Sequence, residues 1–175
     1  RRLLRLDPDG LVEVADLSAL ANYHCNDMVV DGDGGAYVGN FGFNSHDGSE
    51  FKAADLIRVD PDGGVSVAAE GLAFPNGSVI TPNGDTLIVG ETRGNILSAW
   101  DRAPDGGLSN RRVWANLGGG FPDGICLDAN GAIWVADRDN HRVRRVALNG
   151  KVSVVAGGLP GYVDGPVAQA RFTKP

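Results

Sequence analysis

Asn26, Asn76 and Asp123 stand at matching places along the chain, and each offers oxygen as a ligand. Each opens an apolar, alternating run: Asn26-Asp27-Met28-Val29-Val30-Asp31, Pro75-Asn76-Gly77-Ser78-Val79-Ile80 and Pro122-Asp123-Gly124-Ile125-Cys126-Leu127-Asp128. The spacings are 50 (76 − 26) and 47 (123 − 76) residues. Amide and carboxylate oxygens suit a hard divalent cation such as Ca²⁺, Mg²⁺ or Mn²⁺ better than a thiolate-bound zinc. Taken singly, an Asn or Asp at a strand entrance is most often a turn residue bonded to nearby backbone. Repetition at equivalent places argues instead for one shared, oxygen-rich pocket. Other chemistries lack their residues. There is no HExxH, no CxxC pair and no GxSxG elbow, and His24, His46 and His141 are scattered.

A period in the forties, built from four short strands, is the spacing of a β-propeller blade. Inner-hairpin turns are expected at Asp33-Gly34, Asn83-Gly84 and Asn130-Gly131, and outer ones at Asp9-Gly10, Asp62-Gly63, Asp105-Gly106 and Asn149-Gly150. Both residues of such pairs tolerate the positive φ of tight hairpins. Between the turns lie strand-forming runs such as Thr86-Leu87-Ile88-Val89 and Ala132-Ile133-Trp134-Val135-Ala136. Only Asp16-Leu17-Ser18-Ala19-Leu20 hints at a turn of helix.

The expected fold is therefore all-β: about three and a half four-stranded blades of an incomplete propeller, one domain over residues 1–175. Residues 1–21 read as the outer hairpin of a truncated blade, and 22–69, 70–116 and 117–157 as full blades. Residues 158–175 read as a connection into a blade not included. With Arg at position 1 and a lone Met28, the expectation is that the chain is a piece of a longer one. Residues 41–54 interrupt the first full unit and are expected at a rim, where binding residues concentrate.

Composition narrows the partners. The chain carries 16 basic and 22 acidic residues, a net charge of −6, so nucleic acid and anionic membrane surfaces are not expected partners. No apolar stretch approaches the ~20 residues of a membrane helix. Two isolated cysteines, Cys25 and Cys126, read as free thiols; with no export signal in view, the expected compartment is the cytoplasm. An open propeller leaves apolar flanks, so self-association is an expectation as well.

Four phrases carry a more specific likeness. Tyr23-His24-Cys25-Asn26-Asp27, Tyr37-Val38-Gly39-Asn40-Phe41-Gly42-Phe43, Phe74-Pro75-Asn76-Gly77-Ser78 and Pro122-Asp123-Gly124-Ile125-Cys126 resemble the gluconolactonase/regucalcin (senescence marker protein) family. That resemblance implies a six-bladed propeller that hydrolyses sugar lactones or related esters around one divalent cation (Ca²⁺, Zn²⁺, Mn²⁺ or Mg²⁺). It implies metal binding by Asn76 and Asp123, with Asp123 also the general base. Asn26 is implied as a substrate contact. His24 stands where some members carry a substrate-binding Arg, and Glu50 aligns with a substrate-contacting Glu. The family's remaining metal ligand, a first-blade Glu, would precede residue 1. The partner implied is a small lactone or ester.

Asp139-Asn140-His141-Arg142-Val143 and the stretch after Val155 are similar to NHL repeats, so the competing expectation is a non-catalytic NHL-type propeller used as a binding scaffold. A strictosidine-synthase-like enzyme would share the six-bladed shape, but no motif here singles one out. Fold alone does not separate these readings.

Overall fold

Seven glycines punctuate the fold. Gly10, Gly34, Gly63, Gly84, Gly106, Gly131 and Gly150 all take positive φ, between 78° and 124°. The Asx residue before each keeps negative φ, which departs from the expectation that both would be left-handed. The hydrogen bonding explains why. The N–H of Gly34 donates to Asp31 O, Gly63 to Asp60 O, Gly84 to Thr81 O and Gly131 to Asp128 O. Each turn is thus a four-residue reversal whose positive φ falls on glycine alone.

The computed structural model describes all 175 residues. Strands β1 (Arg2–Asp7) and β2 (Gly10–Asp16) form a two-stranded sheet. The next sheet is β3 (Cys25–Val30), β4 (Ala36–Asn40), β5 (Ala54–Val59) and β6 (Val65–Leu72). It is followed by β7 (Pro75–Ile80), β8 (Thr86–Glu91), β9 (Ile96–Arg102) and β10 (Leu108–Asn116). The last sheet is β11 (Pro122–Leu127), β12 (Ile133–Asp137), β13 (Arg142–Val146) and β14 (Val152–Gly157). Every pairing is antiparallel between sequence neighbours, so each four-stranded sheet is a meander and a blade of a β-propeller. A 3₁₀ turn at Arg138–Asn140 joins β12 to β13. No helix is long and apolar enough to cross a membrane. Cys25 and Cys126 are free thiols.

Blades cohere through the two faces of their middle strands. In β8, Leu87 and Val89 point one way, into a cluster with Tyr37, Leu56, Leu72 and Trp100. Ile88 points the other way, into a cluster with Leu97, Leu117, Ile133, Val135 and Val146. Strand periodicity of two makes this division, and it explains why β8 reads as an unbroken apolar run. Truncating such a side chain to alanine costs about 2–5 kcal/mol. A third cluster, with Leu17, Val38, Ile57 and Val59, seals the two-stranded sheet to its neighbour.

At the opposite end from the cavity described below, a buried ion network ties two blades. Asp31 Oδ2 accepts from Arg58 Nη1 at 2.6 Å and from Arg102 Nη2, on the next blade, at 2.7 Å. Its Oδ1 accepts the N–H groups of Asp33 and Gly35. Arg58 lies over the Tyr37 ring, whose hydroxyl donates to Gly106 O across the blade boundary. Burial alone would raise the Asp31 carboxyl, but the two arginines and two backbone N–H groups outweigh it and hold the pKa at about 2.

The folded-state value lies below the unfolded one, so Asp31 stabilises the fold above its unfolded pKa, and that contribution is lost as pH falls through the folded value. Urea unfolding as a function of pH tests this. Between about pH 4 and pH 2 the chain is expected to lose roughly 2 kcal/mol that Asp31→Asn does not lose over the same interval.

Candidate functional site

The inner strands β3, β7 and β11 run side by side because their backbones nearly touch. A Cβ built on Gly77 would lie 2.4 Å from Ile125 N and 2.7 Å from Asp123 O. Only glycine permits β7 to lie this close to β11. Gly39 and Gly90 play the same part, each packed against a proline that opens an inner strand, Pro75 and Pro122. The outcome is that Asn26, Asn76 and Asp123 line one cavity of about 380 Å³.

A second set of equivalent residues holds the loops around its mouth. Asn40, Glu91 and Asp137 end the second strand of each blade, pair in register with Cys25, Pro75 and Pro122, and are buried. Asn40 Oδ1 accepts from Gly42 N–H, Glu91 Oε2 from Ala73 N–H, and Asp137 Oδ1 from Phe121 N–H. The remaining Glu91 oxygen accepts from Ser98 and Arg111. Burial pushes the Asp137 carboxyl up, but Asn140, Phe121 N–H and Arg142 outweigh it and keep it below the ordinary range. Removing one partner from so buried a group costs several kcal/mol, because the others are left unpaired.

Asn76 is only 5% exposed. Its Nδ2 donates to Thr92 Oγ1 at 3.2 Å, and that hydroxyl donates to Pro122 O at 2.6 Å. The amide is thereby oriented, and its Oδ1 is buried with no hydrogen-bond partner. An orphaned buried acceptor costs about 1–3 kcal/mol, which a bound group can recover. Asp123 is partly open and ion-paired to Arg138 Nε at 3.3 Å; Arg138 Nη1 also reaches Asp139 at 3.5 Å. The Asp27 carboxyl lies above the usual range, from partial desolvation first and from the Asp123 charge second. Asn26 is fixed by its Nδ2, which donates to Pro75 O at 3.0 Å.

Phe41, Phe74 and Phe121 supply the apolar wall, with Phe41 and Phe74 stacked at 4.7 Å between centroids. Phe74 sits at φ 66°, an uncommon conformation for a bulky residue, held by its N–H to Leu72 O and by Thr92 N–H to its own carbonyl.

His24 and Glu50 do not line the cavity. His24 is exposed and packs edge-on against Tyr23 at 4.2 Å, behind Phe41. Glu50 is exposed on the 41–54 connection, which contributes Ser45 and His46 to the cavity instead. Arg93, Arg138 and the phenylalanine wall escaped the sequence reading. Two of the rings carried a signal: Phe-Pro-Asx-Gly occurs at Phe74-Pro75-Asn76-Gly77 and again at Phe121-Pro122-Asp123-Gly124.

A hard divalent cation fits this donor set in kind, because the orphaned Asn76 Oδ1 and the Asp123 carboxylate are both oxygen ligands. No group of three or more His, Cys, Asp or Glu residues is close enough to share a metal. Asn76 Oδ1 and the Asp123 carboxylate are the cavity oxygens that could be offered to a cation, with Arg138 already ion-paired at Asp123.

Residues 2–157 match the family described as SMP-30/Gluconolactonase/LRE-like region, and the chain belongs to that family. It is 31% identical over 100 residues to a 6-deoxy-6-sulfogluconolactonase of Pseudomonas putida, a match covering 55% of this chain and 34% of that protein. Regucalcin of Danio rerio is 27% identical over 140 residues, 78% of this chain and 47% of its own length. Among solved structures, a gluconolactonase of Xanthomonas campestris superposes with a TM-score of 0.70 at 27% identity, covering 88% of this chain and 54% of the other. The chain thus spans between a third and a half of these two curated relatives. The family match ends at residue 157. Beyond it, residues 158–175 form no strand and only one bridge, Val163 to Arg171.

Gly77→Ala is expected to force β7 from β11 and to destabilise the chain by about 1–3 kcal/mol, read as a lower urea midpoint. An unchanged midpoint would show that the inner strands tolerate a wider spacing.

Proposed function

We propose that the whole protein to which this chain belongs is a divalent-metal-dependent hydrolase of sugar lactones or related esters. The observation that carries this reading is the buried, unpartnered Oδ1 of Asn76 in the same cavity as the Asp123 carboxylate. Lactonases among the relatives support it.

Asn76 and Asp123 would hold the cation. When bound, a divalent cation polarises a lactone carbonyl and acidifies water. The remaining work belongs to side chains. Asp123 accepts a proton from the attacking water as its oxygen adds to the carbonyl carbon. The ring C–O bond then breaks, Asp123 returns that proton to the departing oxygen, and an open hydroxy acid results. Asn26, locked by Pro75 O, contacts the substrate. Phe41, Phe74 and Phe121 cover the C–H face of the ring and exclude bulk water. Arg138 orients the Asp123 carboxylate through their ion pair. His24 and Glu50 are given no substrate contact, because they lie outside the cavity walls.

A second reading, a non-catalytic propeller that binds a partner, draws on that same ion pair: a guanidinium sits on the carboxylate that hydrolysis requires. Under either reading the open flank matters. Leu4, Leu6, Leu11 and Val12 stay exposed on β1 and β2, where further blades or a second copy of the chain would pack.

Asp123→Asn in the complete protein separates the two readings. With gluconolactone as substrate and proton release as the signal, the variant is expected to lose at least about 100-fold in kcat. Full turnover by the variant would remove Asp123 from the chemistry.

A further inference from the structure

We propose that the cavity takes a lactone bearing an anionic substituent (carboxylate or phosphate) and that Arg93 selects it. This rests on the hydrolase reading and names the substrate class of the same site.

Two arginines line the cavity, Arg93 and Arg138. Arg138 is committed, shared between Asp123 and Asp139. Arg93 is not. Its side chain makes no hydrogen bond and no ion pair, a condition it shares among the arginines only with Arg171 of the tail. The others are all engaged, with carboxylates or backbone carbonyls. Arg93 is exposed, and what distinguishes it from an ordinary surface arginine is its place in the cavity lining, on a turn with a fixed backbone.

The backbone around Arg93 is pinned on every side. Its own N–H donates to Ala73 O at 3.0 Å, Thr92 N–H to Phe74 O at 3.0 Å, and Gly94 N–H to Glu91 O at 3.0 Å. Asn95 closes the turn in the left-handed region, φ 56°, with its Nδ2 donating to Gly120 O on the next blade at 2.7 Å. Arg93 also follows Thr92 directly, and Thr92 is the residue that orients Asn76. The guanidinium head is thus free while its base is fixed one residue from the reaction centre.

Guanidinium is charged at any working pH, and its planar fork matches the paired oxygens of carboxylate or phosphate. A neutral lactone would leave this cation unpaired; an anionic one would satisfy it. The cavity, about 380 Å³, falls within the range of small-molecule sites and leaves room for a substituent beside the ring.

The test compares three substrates on the complete protein: gluconolactone, its phosphorylated form, and the lactone of a sugar dicarboxylic acid. The expected result is a kcat/KM at least about tenfold higher for one or both anionic forms than for gluconolactone. The two anionic arms separate phosphate from carboxylate preference. In Arg93→Gln the ratio of anionic to neutral kcat/KM should collapse toward one, through a raised KM for the anionic form. Arg93→Lys should restore part of it, and added salt should erode it in the unaltered protein. Hydrolysis of gluconolactone with no anionic preference, or a preference that survives Arg93→Gln, overturns the inference alone. Failure to hydrolyse any of the three overturns the hydrolase reading and the inference with it.

Discussion

The close approach of two backbones at Gly77 is the constraint on which the site depends. A side chain there would collide with main-chain atoms of β11, not with the yielding end of a neighbour. Because β7 and β11 lie this near, the first polar residues of both strands face one cavity instead of separate blade ends. The proximity has a consequence for Asn76. Its amide is trapped among Thr92 and the strand ends, with one hydrogen bond made and one oxygen left over. The packing that forms the site thereby also creates its unmet demand for a ligand.

Two polar systems stabilise this arrangement from opposite ends. Around the mouth, Asn40, Glu91 and Asp137 repeat one device: a buried side chain at the end of a second strand captures the N–H of a loop residue. At the other end, Asp31 gathers Arg58 and Arg102 from two blades. Apolar clusters supply most of the favourable free energy between blades, but they are directionless. The polar ties fix register and loop position, and a site requires that precision.

Much of this was legible in residue order. The glycines of all seven turns take the conformation their Asx-Gly steps foretell, and the spacing of Asn26, Asn76 and Asp123 forecast their meeting in one cavity. Free thiols at Cys25 and Cys126 were expected and are found. The spacing of Asn40, Glu91 and Asp137, 51 (91 − 40) and 46 (137 − 91) residues, was equally periodic. It went unread because a polar residue ending an apolar strand looks like a surface turn until its burial is known. Arg93 and Arg138 had no such signal. An arginine's reach is long, and which carboxylate it meets is decided by the pairing of strands that are remote in sequence. His24 and Glu50 stand outside the cavity lining of this chain, to which the 41–54 connection brings Ser45 and His46.

The central claim is that Asn76 Oδ1 and the Asp123 carboxylate form one cation-accepting site. Calorimetric titration of Mn²⁺ into the complete protein tests it most directly, with Asn76→Ala and Asp123→Asn measured alongside. The account predicts one binding event that either substitution weakens by at least about tenfold, since each removes a ligand. Binding that survives both substitutions undiminished would contradict it.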